Sequence, residues 1–432
     1  MVSGMLSRDI RNSVRSSLAA FWAMAFLFSA LRSEAAGKKE GWSVVPLPNI
    51  SYSTDTGLNL GAFANIYFYG RGEENLYPNF QHQINVSFIW STKGSWYVHG
   101  FFDSKSLVPG LRLTGAVTYK DNYAGRFYGY NGVASPYVPE LDQDKSFYGL
   151  RRKLFRAMGS VQGTVTGSLR WMGGLVFRRF SLAETVENSL YGEYVNCGLI
   201  RSDEVSGGSL LETRGGFVYD TRDIEAIPNR GINAEAYLTA VADLSHRRYH
   251  SLSAVLHFRH FVPLGTDKVI FAYHVGYQGL LAGRLPFYSL QELSALYYFD
   301  ADYEGLGSRY TMRGTMYCRM LANSYLWSNA EFRIRLFQFD LFRQHFDVVT
   351  NPFFDTGLIV KPFRLQEQMD AVIGEGENPV WSGNRGRFHC SAGLGLKLHM
   401  NSSFVFSFEV ARAFNRSLVS GVGMSLSTAY IF

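Results

Sequence analysis

The stretch Phe80-Gln81-His82-Gln83-Ile84-Asn85-Val86-Ser87-Phe88-Ile89-Trp90 decides the fold. Phe80, Ile84, Val86, Phe88 and Trp90 fall on one face of an extended chain, broken only by His82, while Gln81, Gln83, Asn85 and Ser87 fall on the other. Successive strand side chains point to opposite faces, so alternation of this length marks a strand with one greasy and one wet side. Upstream, Leu58, Leu60, Ala62, Ala64, Ile66 and Phe68 alternate with Asn59, Gly61, Asn65 and Tyr67. Near the end, Phe404, Phe406, Phe408 and Val410 alternate with Ser403, Ser407 and Glu409.

The bulk properties agree with a β-rich membrane wall. Aromatic residues make up 16% of the chain and charged residues only 18%, with a mean hydropathy of −0.06. A barrel that alternates lipid-facing and lumen-facing residues has that modest mean. The net charge of +6 is weak for nucleic-acid binding, and no nucleic-acid partner is expected. Residues 1–36 read as a signal peptide: Arg8, Arg11 and Arg15 precede an apolar run from Leu18 to Leu31, with small residues at Ala35-Ala36. The run is too short to cross a bilayer comfortably as a helix.

Residues 37–432 are then expected to form one transmembrane antiparallel β-barrel of about sixteen strands. The candidate strands are 41–53, 56–69, 79–91, 95–103, 109–119, 146–158, 162–180, 206–221, 230–243, 248–263, 266–281, 325–339, 345–360, 386–398, 401–413 and 421–432. The long connections 120–145, 181–205, 282–324 and 361–385 all follow odd strands. Short ones such as Gly159-Ser160 and Met400-Asn401 follow even strands. Long loops on one side and short turns on the other suit an outer-membrane barrel with both termini periplasmic.

One loop carries an unusual stretch, Gly305-Leu306-Gly307-Ser308-Arg309-Tyr310-Thr311-Met312-Arg313-Gly314. If it folds back into the barrel, Arg313 needs carboxylates to offset its desolvation. Glu331 shares the wet face of 325–339 with Asn329, Arg333 and Arg335, and Asp355 opposes Phe354 on the next strand. A guanidinium can engage both acids, pinning the loop inside; the alternative is a solvated Arg313. Pro46 and Pro48 lie in the first strand, which must pair with the last to close the barrel. Proline cannot donate to a ladder, so a short seam is expected there, unless the prolines merely precede the strand.

The remaining signals point away from catalysis. The ten His form no metal-spaced pair, and His257 and His260 lie on opposite faces. No Ser sits in a nucleophile elbow. No enzyme activity, metal or cofactor is expected. The three Cys give no disulfide framework, and pairing of Cys197 with Cys318 stays open.

The chain resembles the BamA/TamA superfamily of bacterial surface antigens from Gram-negative bacteria. The resemblance rests on five motifs in family order: Pro48-Asn49-Ile50-Ser51-Tyr52-Ser53 through Gly61; Tyr219-Asp220-Thr221-Arg222-Asp223 with Pro228 and Gly231; Thr311-Met312-Arg313-Gly314; Asn329-Ala330-Glu331; and Phe353-Phe354-Asp355-Thr356-Gly357. It implies that Arg313 and Gly314 form a loop lock received by Glu331 and Asp355. Leu426, Tyr430 and Phe432 share a face of the last strand, which resembles the signal read by the barrel assembly machinery; a lipid-facing aromatic girdle is the plainer reading.

There are departures. Thr315 stands where the family has an aromatic, and the family's periplasmic POTRA modules are missing, so a separate periplasmic protein is a further expected partner. The implied role is insertion or export of protein or lipid at the outer membrane, in contact with lipid and lipopolysaccharide. A passive pore for small solutes is the alternative.

Overall fold

The computed structural model describes residues 40–53, 57–76, 79–142, 147–184, 189–225, 227–298, 304–308, 310–341, 344–363, 388–400, 404–415 and 422–427. Residues 1–36, expected to be a signal peptide, and the terminal residues Tyr430 and Phe432 lie outside them.

The described residues form sixteen strands: β1 (Trp42–Ser53), β2 (Gly57–Phe68), β3 (His82–Ser91), β4 (Trp96–Val108), β5 (Leu111–Asn122), β6 (Leu150–Thr166), β7 (Leu169–Glu184), β8 (Ser209–Asp220), β9 (Gly231–Asp243), β10 (His250–Leu264), β11 (Thr266–Gly283), β12 (Ser324–Leu341), β13 (Gln344–Lys361), β14 (Phe388–Met400), β15 (Phe404–Ala413) and β16 (Gly423–Ser427). Sequence neighbours pair antiparallel throughout, and β1 meets β16 to close the barrel. Closure removes the sheet edges that would otherwise leave backbone groups unpaired.

The alternation becomes an inside and an outside. Leu60, Phe88, Val117, Leu175, Leu256 and Leu394 are exposed on the outer surface, while Asn329, Asp355 and Glu409 are buried on the inner one. An outer belt of this chemistry suits lipid rather than water. Among the described residues, no helix is long and apolar enough to cross a membrane.

Two details differ from the expected boundaries. Gly159 and Ser160 do not form a turn; they lie inside β6, where Ser160 Oγ meets Thr114 Oγ1 of β5 at 2.5 Å. The chain reverses instead at Gly167, whose φ of 52° favours glycine. In β12 the register shifts between Arg335 and Phe337. That bulge keeps Phe337 and Phe339 outward, where strict alternation would have turned them into the lumen.

The long connections lie together at one end. Loops 123–149 and 185–208, the latter carrying helix α1 (Leu190–Asn196), pack on loop 284–323. Phe127, Tyr130, Tyr194 and Phe287 meet there edge-on and tilted, covering that end with aromatic packing. Most of the fourth long connection falls outside the described residues.

The seam is uneven. Its pairing includes Ser53 opposite Ser425, at the long-loop end. Pro46 and Pro48 lie within β1 and are paired in register with Ala64 and Ala62 of β2, so they do not precede the strand. Toward the short-turn end, Val45 and Phe63 point inward by strand parity, and Phe346, Leu398, Met400 and Phe406 point outward. These six nevertheless form one cluster. The inner face of β1–β2 therefore packs on the outer face of β13–β15, as a lap joint between side chains.

Candidate functional site

Loop 284–323 runs down inside the barrel, and its tip is held by Arg313. The Arg313 side chain is 3% exposed. Its backbone N–H donates to Asp355 Oδ2 at 3.0 Å, and its Nε and Nη2 donate to the two Asp355 oxygens at 2.8 Å each. Nη1 donates to Glu331 Oε2 at 3.2 Å and to Glu409 Oε1 at 3.1 Å. The guanidinium also lies 3.4 Å from the centre of the Phe353 ring. These four side-chain bonds draw on the five donors of a planar fork; an ammonium has only three and no fork.

The structure thus brings Arg313, Glu331 and Asp355 together and adds Glu409, which sequence reasoning placed on a wet strand face without linking it to the loop. The site balances: Arg333 donates to Glu331 Oε1 at 2.8 Å and Lys397 to Glu409 at 2.9 Å. Three cations face three carboxylates, and Asn351 donates to both glutamates. Buried charges are tolerated only in such compensated sets.

Gly314 has a steric reason to follow Arg313. Its φ is 75°, and a Cβ there would lie 2.6 Å from the Ala411 carbonyl carbon on β15. The tip presses against the wall too closely for a side chain. Thr315 hydroxyl closes the turn by donating to the Met312 carbonyl at 2.8 Å.

The other half of the loop is held with the charges reversed. Glu292 receives Arg152 at 2.6 Å and Arg156 at 3.2 Å, and Glu304 receives Arg152 at 2.9 Å and Lys120 at 3.2 Å. Arg178 donates to Tyr298 at 2.9 Å and to Glu212 at 2.8 Å, and Arg214 donates to the Ala295 carbonyl at 2.6 Å. The Tyr298 ring lies 4.0 Å from the Arg156 guanidinium. Sequence reading missed this cluster, because the wall cations come from β5–β8 and the acids from a loop with no periodicity.

Other expectations fare differently. His257 and His260 are not joined; His257 instead meets His274 at 3.0 Å, beside Trp327. All three cysteines are free, so Cys197 and Cys318 are not bridged. Leu426 lies in β16. No group of three or more metal-ligating side chains is found among the described residues.

No protein-family model matches the chain, and no curated protein matches it in sequence. Among solved structures, a BamA from Haemophilus ducreyi lacking POTRA domains 1–3 aligns with a TM-score of 0.56 at 16% identity, covering 90% of this chain and 70% of that one. CdiB from Escherichia coli aligns with a TM-score of 0.55 at 12% identity, covering 91% of this chain and 63% of that one. This chain therefore spans less than two thirds of the CdiB chain. At these identities the likeness is one of fold.

Proposed function

We propose that this protein is a non-enzymatic outer-membrane barrel of the BamA/TamA kind, which handles insertion or export of protein or lipid at its seam or lumen. The observation that carries this reading is the loop locked inside the barrel by Arg313. A passive pore gains nothing from filling its lumen with a fully compensated ionic lock. The seam supports it as well: apolar side chains that part within lipid leave no backbone donor or acceptor unpaired, whereas a parted ladder does.

In this reading the long loops face outside and both termini are periplasmic. The outer belt contacts lipid, with lipopolysaccharide at the outer rim. The barrel assembly machinery reads the last strand during biogenesis, and a separate periplasmic protein delivers clients.

Depletion tests the proposal. Unassembled outer-membrane proteins, or mislocalised envelope lipid, should accumulate as the protein is withdrawn. Normal envelope assembly on depletion, with large stable conductance that Arg313→Ala leaves unaltered, would establish the solute pore instead.

A further inference from the structure

The β8–β9 turn, residues 221–230, reaches across the short-turn mouth of the barrel and is fastened to opposite walls. On one side Glu225 accepts from Arg112 of β5 at 2.9 and 3.2 Å and from Lys105 of β4 at 2.9 Å. On the other, the Pro228 carbonyl accepts from Arg333 of β12 at 3.3 Å, and Ile227 packs on Val405 of β15. A turn whose only task is to join two adjacent strands has no need of contacts on β4, β5, β12 and β15.

Both fastenings are shared with the inward loop. Arg333 holds the Pro228 carbonyl while donating to Glu331, and Glu331 also receives Arg313 from the loop tip. Arg112 holds Glu225 while its guanidinium lies 4.7 Å from the ring of Tyr297 in the loop, and the Tyr297 hydroxyl accepts from Gln162 at 2.7 Å. Two wall arginines, on opposite sides of the barrel, thus each touch both the loop and the turn.

We propose that the β8–β9 turn is a second closure, at the mouth opposite the long loops, and that Arg333 and Arg112 couple it to the inward loop so that the two release together. When Arg313 leaves Glu331, that carboxylate is left to Arg333 and draws it from the Pro228 carbonyl. Asp103 of β4 also holds Arg112, at 2.9 and 2.6 Å; when the loop withdraws Tyr297, Arg112 loses the ring against its guanidinium and so part of its hold beside Glu225. Coupling of this kind is reciprocal, because each closure biases the same shared groups. The proposal rests on the barrel and its contacts alone and does not depend on what the protein transports.

Hydrogen–deuterium exchange on the purified full-length barrel tests it, read in peptides covering 221–230, 305–320 and the strands β8 and β9. Glu225→Gln acts only at the turn, and Arg313→Lys only at the loop tip. Glu225→Gln should speed exchange in 305–320, and Arg313→Lys should speed exchange in 221–230, each by about fivefold, the low end of common coupling factors. Exchange in β8 and β9 should hold steady. Effects confined to the segment that carries the substitution would overturn the proposal, as would a uniform rise across all strands. If one variant does not yield the folded, heat-modifiable form, the other decides, because either direction reads the same coupling.

Discussion

The two ends of the inward loop are held by opposite arrangements of charge. At the tip, the loop supplies the cation and the wall supplies the acids: Arg313 meets Glu331, Asp355 and Glu409. In the other half, the loop supplies Glu292 and Glu304 and the wall supplies Lys120, Arg152, Arg156 and Arg178. The tip is balanced, three against three. The other half, counting Arg214 and Glu212, sets five cations against three acids. The tip therefore depends on one guanidinium that nothing else replaces, while the other half spreads its hold over several.

The largest expected effect tests the irreplaceable side. Arg313→Ala leaves three buried carboxylates with two cations, and breaking a buried ionic set of this kind costs about 3–5 kcal/mol. Protease should cut loop 284–323 in membranes where the wild-type loop resists, with the strands retained. Arg313→Lys should recover only part of the protection. A bulky impermeant reagent that labels a cysteine at 313 on intact cells would show the tip outside the barrel and end the comparison.

A smaller effect is expected on the distributed side. Glu292→Gln keeps a carbonyl that can still accept from Arg152 or Arg156 and should cost about 1.5–3 kcal/mol, the value of one charge-assisted hydrogen bond. Cleavage should appear in 284–298 before it appears at the tip. If the two variants loosen the same peptides equally, the halves are not separately held. Smaller again, at about 1–3 kcal/mol, is Gly314→Ala, which strains a left-handed residue and drives a Cβ toward Ala411. Its thermal unfolding should shift less than that of Arg313→Ala.

The smallest effect expected is that of mild acid. Burial raises the pKa of Glu225, but Arg112 and Lys105 outweigh it and hold the carboxyl well below its usual range. A depressed acid contributes stability above its unfolded value and loses it only as pH falls through the folded one. The turn should therefore stay pinned from about pH 7 to about pH 5. Protease protection of 221–230 that collapses across that interval would show that other groups hold it.

Much of this was legible in the sequence, and the exceptions share a cause. Alternation exposes the strands because it is local: Phe80 to Trp90 needs no partner to be read. Arg313 and its two acids could be read because parity puts Glu331 and Asp355 on wet faces of the next two strands. Glu409 lies 96 residues from Arg313, and only the curvature of the closed wall brings it near. Glu292 and Glu304 sit in irregular chain, where no period says which way a side chain points. The β6–β7 reversal was misplaced because Gly159-Ser160 looks like a turn, while a strand tolerates a small pair when its neighbours keep their ladder. The bulge at Arg335–Phe337 could not be foreseen from a strict two-residue period.

The lap joint at the seam has a geometric consequence. A ring of strands has a perimeter set by strand count and stagger. In this barrel Val45 and Phe63 lie over Phe346, Leu398, Met400 and Phe406, so among the described residues an apolar side-chain contact overlaps the wall at that end. The wall is better described as a scroll, pinned near one corner where Ser53 faces Ser425. At the short-turn end, a change of girth would be met by one greasy surface moving over another, with no strand added.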